Sequence, residues 1–549
     1  VRIMAGTPRI ETGKTANAIT RRAAIGYGAG AAAALGTGVG LASAAPAGRI
    51  GNAATAQDTP VRGGELVVSD EKAVASLDPH YESIPDPAHG LLFDRLIVNR
   101  PTGDEAEPWG IEGDLAESWA FAEDGLSLTF TLRQGVTFHD GSPWDAETAK
   151  WNIDRIKSDL SVLSSQIAFV DSADAVDAST LRLNFSEVTA DPALLQIASV
   201  SQMVSMAAVE ANGDEEFGRN PVGTGPCRFV EWIPDDSLRL ERNPEYWRMG
   251  DDGEPLPYFD TVRSLHAVDL ARASVELRSG AIMAYQFPPA RDIPTLKSDP
   301  NIAFVTAPAT FRADLARVMI NMESEPFSNK QLRQAAQYAL DEAGFANAMG
   351  PGIMEPHHHL WWAPGVLGYD ESIRTIGYDP DQATALLTEA GFPDGIDITL
   401  KIINRTNDRQ AAQIIKQMLD QVGIRTEIEA QERVTFNEDL AEGLYQIAII
   451  GTSILPDPES ASSNFTTGGL ANWGKYSNPA VDALVLEGRQ SSDREARAAI
   501  YQEIQRIMVD AAGLKILARH PLGFATSTRL SGVTSVGGSL ELRFVSISE

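Results

Sequence analysis

The chain runs to 549 residues, 43% of them apolar, with 45 Lys and Arg against 75 Asp and Glu, a formal charge of −30. That length exceeds one average domain several-fold and can fill large cores in two or more lobes, while the acid excess excludes a nucleic-acid backbone or an anionic membrane surface as partner. A single cysteine, Cys227, excludes an internal disulfide and a Cys-rich metal framework.

At the front, Thr20-Arg21-Arg22 precedes a charge-free stretch from Ala23 to Gly48, and residues 1–47 hold five Lys or Arg and one Glu. A basic region, an apolar stretch and small residues before a cut make a secretory signal, with cuts expected after Ala42-Ser43-Ala44 or Ala45-Pro46-Ala47. The apolar stretch is rich in Gly and Ala, which gives it little drive to stay in lipid. The Arg pair resembles the twin-arginine signal of bacteria, which exports proteins already folded; the alternative is an ordinary export signal. No Cys stands near the cut to carry a lipid, and no later segment reaches 18 uncharged apolar residues. The expectation is a soluble periplasmic chain of 502 residues and charge −34 once residues 1–47 are removed. Gly13-Lys14-Thr15 is no phosphate loop, because Pro8 stands where the motif needs its first Gly.

The remainder alternates strands and helices. Glu65 to Val68 is a short strand, and Leu126 to Leu132 alternates apolar and polar with period two, a half-buried strand between turns at Asp124-Gly125 and Gln134-Gly135. Asp145-Ala146-Glu147 opens a helix through Trp151, Ile153 and Ile156, and Leu181 to Phe185 is again a strand. Asn329 caps a helix whose Leu332, Ala335, Ala336, Ala339 and Leu340 share one buried face. Asp379-Pro380 opens another, closed by Gly391. A strand over Ile396 to Ile403, a helix over Gln410 to Val422, strands over Ile424 to Ile428 and Tyr445 to Ile450, and a helix from Asp493 to Val509 follow. Helices between strands imply α/β layers.

Five blocks carry a family resemblance. Phe138-His139-Asp140-Gly141-Ser142-Pro143 with Trp151 and Arg155, Gly223-Thr224-Gly225-Pro226, Asn321 to Asp341 with Pro326-Phe327, Tyr378-Asp379-Pro380 through Glu389-Ala390-Gly391, and Ser477-Asn478-Pro479 with Tyr501 and Gln502 resemble, in order, the blocks of extracellular solute-binding protein family 5. These are the dipeptide, oligopeptide, opine and nickel receptors of ABC importers. The blocks themselves read as turns and caps that identify a fold. The resemblance implies an α/β, two-lobed periplasmic-binding-protein fold of type II, in the large cluster with an extra subdomain. Lobe 1 is expected over 61–310 with the subdomain at about 105–220, lobe 2 over 311–518, and a return to lobe 1 over 519–549. The chain should cross between lobes near Ala307–Phe311 and Ala518–Pro521, and hinge closure should bury the solute between them.

The same resemblance supplies the candidate contacts. In peptide-binding relatives the loop after the strand ending at Ile450 holds a Trp and an acid that pairs with the peptide amine. Here Thr452 and Ile454 stand about at those places, beside Ser453 and Asp457, so standard recognition of a peptide amine is in doubt. Relatives use the loop holding Arg405 and Arg409 for the carboxylate end of the ligand, a role that suits the guanidinium fork; the alternative is solvated loop charge. His357-His358-His359 reads as a polar loop at the cleft rim, a solute contact or, least of all, a metal site, and Trp361 and Trp362 after it either stack on a sugar or peptide plane or, more commonly for Trp, pack in the core. His80 and Tyr81 fall on the loop that borders the cleft in relatives. Cys227 reads as a small buried hydrophobe.

The leading expectation is thus a monomeric receptor that captures a peptide or a peptide-like, opine-type solute without cofactor and delivers it to an inner-membrane ABC permease, after passage through the twin-arginine translocase. A nickel-chelate receptor of the same fold is the alternative, and a chemoreceptor accessory would use the same clamp. A hydrolytic enzyme is disfavoured, since no nucleophile elbow, His-Glu-x-x-His pair or Cys–His spacing occurs.

Overall fold

The Glu65–Ser69 strand sits in the middle of a seven-stranded sheet, ordered Ile302–Thr306, Gly523–Ser527, Ala284–Gln286, Glu65–Ser69, Thr261–Leu265, Ser237–Arg242, Cys227–Ile233. It runs parallel to the strands on both sides of it, and it is apolar on both faces, as a doubly covered strand must be. Leu66 and Val68 join Val262, Ala284 and Phe524 in one core layer, while Val67 packs with Tyr285 and Ala525 in another. Cys227 is fully buried in the first layer, and burial pushes its thiol pKa up, so it is the small hydrophobe expected. The computed structural model describes residues 60–69, 76–81, 89–102, 109–189, 191–266, 270–286, 288, 292–306, 316–451, 457–469, 471–491, 493–519, 523–536 and 539–548. The export signal expected over 1–47 lies outside them. Among the described residues no helix is long and apolar enough to cross a membrane.

A four-stranded antiparallel sheet, ordered Ala116–Phe121, Ser127–Leu132, Thr180–Phe185, Val170–Asp177, follows early in the chain. Its alternation is the one legible in sequence: Leu128, Phe130 and Leu132 point with Leu181, Leu183 and Phe185 into a core closed by Ile153 and Ile156 of the helix Ala146–Ile156. That helix starts where it does because Asp145 accepts the Thr148 N–H at 2.9 Å while the Thr148 hydroxyl accepts the Asp145 N–H at 3.0 Å, a reciprocal cap.

The second large sheet has five strands, ordered Ile424–Gln431, Ile396–Ile403, Ile447–Ile450, Arg317–Ile320, Leu514–Ile516. The first three are parallel, and Arg317–Ile320 runs against its neighbours on both sides. The two large sheets define two lobes. The chain leaves the first sheet after Ile302–Thr306 and returns to it at Gly523–Ser527. Of the two expected crossings, Ala307–Phe311 lies outside the described residues, as does the end of Ala518–Pro521.

Two expectations shift. The helix expected from Gln410 starts at Thr406, with Arg405 at its N-cap and no side-chain cap bond. Its buried apolar face begins only at Ala411, so hydrophobic periodicity carries no trace of the first turn. The Gly-Thr-Gly-Pro block is more than a turn: its glycines permit close approach. A Cβ on Gly223 would lie 2.0 Å from the Leu92 carbonyl oxygen, and one on Gly225 would lie 2.4 Å from that of Leu91.

Candidate functional site

The carboxyl ends of the parallel strands Ile396–Ile403 and Ile447–Ile450 lie side by side, and the register continues to Arg317, opposite Ile450. Three segments therefore meet at one edge: the loop after Ile403, the loop after Ile450, and the start of the Arg317–Ile320 strand. In open α/β sheets this carboxyl edge is where ligands settle.

At that edge the exposed Arg405 donates from Nε to Asp408 in the first helical turn, and the exposed Arg409 donates to Asn404. Both guanidinium groups are lightly tethered within their own loop and face water, so they keep donors for an incoming anion. Thr452 and Ser453, in the neighbouring loop, lie outside the described residues. Asp457, just beyond, is buried and already committed: it accepts the Glu459 N–H at 2.9 Å and pairs with the buried Arg497 at 3.0 Å.

Arg317 was not anticipated. Its side chain shares a sheet face with Met319, and it is only 3% exposed. Its Nη1 donates to Asn464 at 2.8 Å, its Nε has no acceptor, and its Cζ stands 5.8 Å from the centre of the Trp361 ring. Burial brings its pKa down to about 10, opposed by the Tyr445 phenol. The sequence signal was available: a lone charge opening the apolar run Val318-Met319-Ile320.

The His357 segment is packed rather than open. His357 Nε2 bonds the Leu360 carbonyl at 2.9 Å, and burial lowers its pKa to about 4, so the ring is neutral. His359 bonds the Ile373 carbonyl through Nδ1 at 2.8 Å, while His358 turns the other way, partly exposed, with Nδ1 3.6 Å from Glu342. The run therefore divides between faces, and among the described residues no three His, Cys, Asp or Glu side chains gather to hold a metal. Trp361 and Trp362 are buried against Phe465, at 5.6 and 6.4 Å between ring centres.

His80 and Tyr81 belong to a buried cluster elsewhere. Arg155 forks onto Asp78 (3.0 and 2.5 Å), reaches Asp214 at 2.7 Å, and donates to His80 Nδ1 at 2.8 Å. His80 Nε2 then donates to the Gln202 carbonyl at 2.8 Å, and the Arg155 guanidinium lies 4.4 Å over the Tyr81 ring. Both ring nitrogens of His80 are occupied, and burial holds its pKa near 4.

Two family blocks lock onto each other in the same manner. Gly223 donates its N–H to His139 Nδ1 at 3.3 Å, and His139 Nε2 donates to the Gly225 carbonyl at 2.9 Å. That fixes one neutral tautomer, and burial brings its pKa to about 4. A further contact joins the four-stranded sheet to the second lobe. Glu187, just after Phe185, pairs at 3.2 Å with Arg489 of the helix Pro479–Gln490, which Glu459 holds at 2.7 Å.

Residues 110–473 match the family described as bacterial extracellular solute-binding proteins, family 5 Middle. The chain belongs to that family. The glutathione-binding protein GsiB of Pectobacterium atrosepticum is 29% identical over 444 residues, 76% of this chain and 82% of its own. The periplasmic binding protein DppA of Helicobacter pylori, solved with the peptide STSA, superposes with a TM-score of 0.74 at 23% identity, over 89% of this chain and 99% of its own. MoaA of A. tumefacien R10, solved with mannopinic acid, gives 0.73 at 22% identity, over 89% of this chain and 100% of its own. These likenesses establish the two-lobed α/β fold.

Proposed function

We propose that this chain is the solute receptor of an ABC importer, taking a peptide or a peptide-like, opine-type solute into the cleft between its two lobes. The observation that carries this reading is the arginine-bearing carboxyl edge of the second sheet, where Arg405 and Arg409 keep guanidinium donors in water beyond the end of the Ile396–Ile403 strand. The relatives are binding proteins for glutathione, a peptide and an opine acid, each a flexible polar solute with carboxylate groups. Closure stabilises the clamp through contacts made only in the closed state, and no bond is broken. On this reading His80, Tyr81, His357 and Asp457 support the lobes rather than touch the solute, a view supported by the engagement of their polar atoms or rings within the fold.

The lobes are proposed to span 61–310 and 311–518, with the return over 519–549, and the exported monomer to work in the periplasm after twin-arginine passage and removal of residues 1–47. Replacing Arg21 and Arg22 by Lys should trap the protein in the cytoplasm in fractionation; unchanged export refutes that route. Thermal shift against glutathione, the dipeptide Met-Leu, the peptide STSA, mannopinic acid and a nickel–histidine chelate tests the solute class. A solute at about 100 Kd should add roughly 2.7 kcal/mol of stability. No stabilisation by any of the first four refutes the reading, and a response to the chelate alone selects the nickel alternative.

A further inference from the structure

The other buried arginines among the described residues all have their charge or donors met. Arg155 holds Asp78 and Asp214, Arg497 holds Asp457, Arg543 holds Asp94 and Asp114, Arg100 holds Glu541, and Arg333 donates to the carbonyls of Phe327, Ser328 and Ala511. Arg317 differs. Among the described residues it has no carboxylate within ion-pair reach, one amide oxygen on Nη1, and an Nε–H with no acceptor. An unpaired buried cation is costly and persists only where something offsets it. Arg317 opens the strand that follows the first passage between the sheets, and it lies at the carboxyl edge beside Ile450. The Trp361 ring and Ile450 make its surroundings apolar, so a charge-assisted bond formed there is stronger than one in water.

We infer that Arg317 recognises a carboxylate of the bound solute, offering the Nε side of its guanidinium as a two-pronged donor while Asn464 holds the opposite side. This rests on the receptor reading above and deepens it: the solute is an acid, and its carboxylate enters deeper than the exposed Arg405 and Arg409. A carboxylate matches the fork in geometry and supplies the missing negative charge. Trp361 and Asn464 act as positioning residues, one walling the guanidinium off from water and the other fixing its plane.

The test compares wild type with Arg317→Met and Arg317→Lys, first without solute and then by calorimetry with Met-Leu, Met-Leu amide, glutathione and mannopinic acid. Without solute, Arg317→Met should melt at the wild-type temperature or above it, because an uncompensated charge is replaced by an apolar chain of similar length. A fall of more than about 3 °C shows the arginine to be structural and overturns the inference. With solute, each acid that binds wild type should bind Arg317→Met at least ~30-fold more weakly, as losing one partner of a buried charge pair implies. Arg317→Lys should recover part of that loss, and any affinity for Met-Leu amide should be the same in wild type and Arg317→Met. The dipeptide losing affinity identifies a peptide terminus as the group read, and mannopinic acid losing it identifies an opine acid. Equal affinities of wild type and Arg317→Met for the acids refute the inference. Should wild type bind none of the four, the solute classes proposed above fail, and the melting temperature without solute still decides the role of Arg317.

Discussion

Three histidines buried as neutral rings make the fold sensitive to mild acid. His80, His139 and His357 each hold a pKa of about 4 in the fold, in every case chiefly because burial penalises the charged ring, against about 6.5 in an unfolded chain. A depressed histidine pKa means that the folded state binds its proton later than the unfolded state does. The stability it contributes is complete above pH 6.5 and is lost as the pH falls from 6.5 toward 4. At pH 5 each histidine costs about 2 kcal/mol relative to pH 7, and the three together about 6 kcal/mol. One group opposes them. The Asp94 carboxyl is raised to about 6, by burial first and by Asp114 second, so the fold favours its protonated form. That contributes about 1 kcal/mol in the other direction over the same interval. The histidines win, and unfolding free energy should fall by about 5 kcal/mol between pH 7 and pH 5. Urea unfolding followed by tryptophan fluorescence at half-unit pH steps measures this. His139→Gln serves as the control, since the amide can replace part of the bonding to Gly223 and Gly225 without titrating; its curve should lose about two fifths of the slope. A wild-type change under about 1 kcal/mol would refute the reasoning, as would an undiminished slope in the variant.

Three further outcomes are expected. Glu187→Gln removes the contact between the four-stranded sheet and Arg489; because the pair is partly exposed it is worth about 0.2–1 kcal/mol, so solute affinity should weaken by up to about fivefold in calorimetry, mainly through faster release. Asp457→Asn strands the buried Arg497 and should cost about 3–5 kcal/mol in urea unfolding, whereas an exposed loop aspartate would cost almost nothing. Arg405→Ala with Arg409→Ala should weaken an anionic solute while leaving the melting temperature within about 2 °C, since both side chains are exposed; unchanged affinity removes the pair from the site.

Local chemistry made much of the fold legible. The strand Ile396–Ile403 ends at the residues its apolar run marks, and Asp145, Asn329, Asp379 and Asp493 each cap the helix that their sequence position announces. Such features depend on neighbours within about four residues, which a sequence displays directly. The site was less legible. Arg405 and Arg409 could be named, but their helix was expected to start four residues later, because among the described side chains its first turn buries only the polar Asp408. The His357 run with Trp361 stands out in the sequence, and Asp457 follows from the resemblance; their partners Leu360, Phe465 and Arg497 show them engaged in packing and ion pairing.

The sequence by itself determined the class of chain: an α/β protein with family 5 blocks in order, strong acidity and no internal disulfide. Only the tertiary structure decided which charges are spent. Arg155 meets Asp78 from 77 residues away, Arg543 meets Asp114 from 429 residues away, and Arg317 meets no carboxylate among the described residues. Whether a buried ion is neutralised depends on long-range packing and on the desolvation that packing imposes. In the linear chain all three are simply arginines.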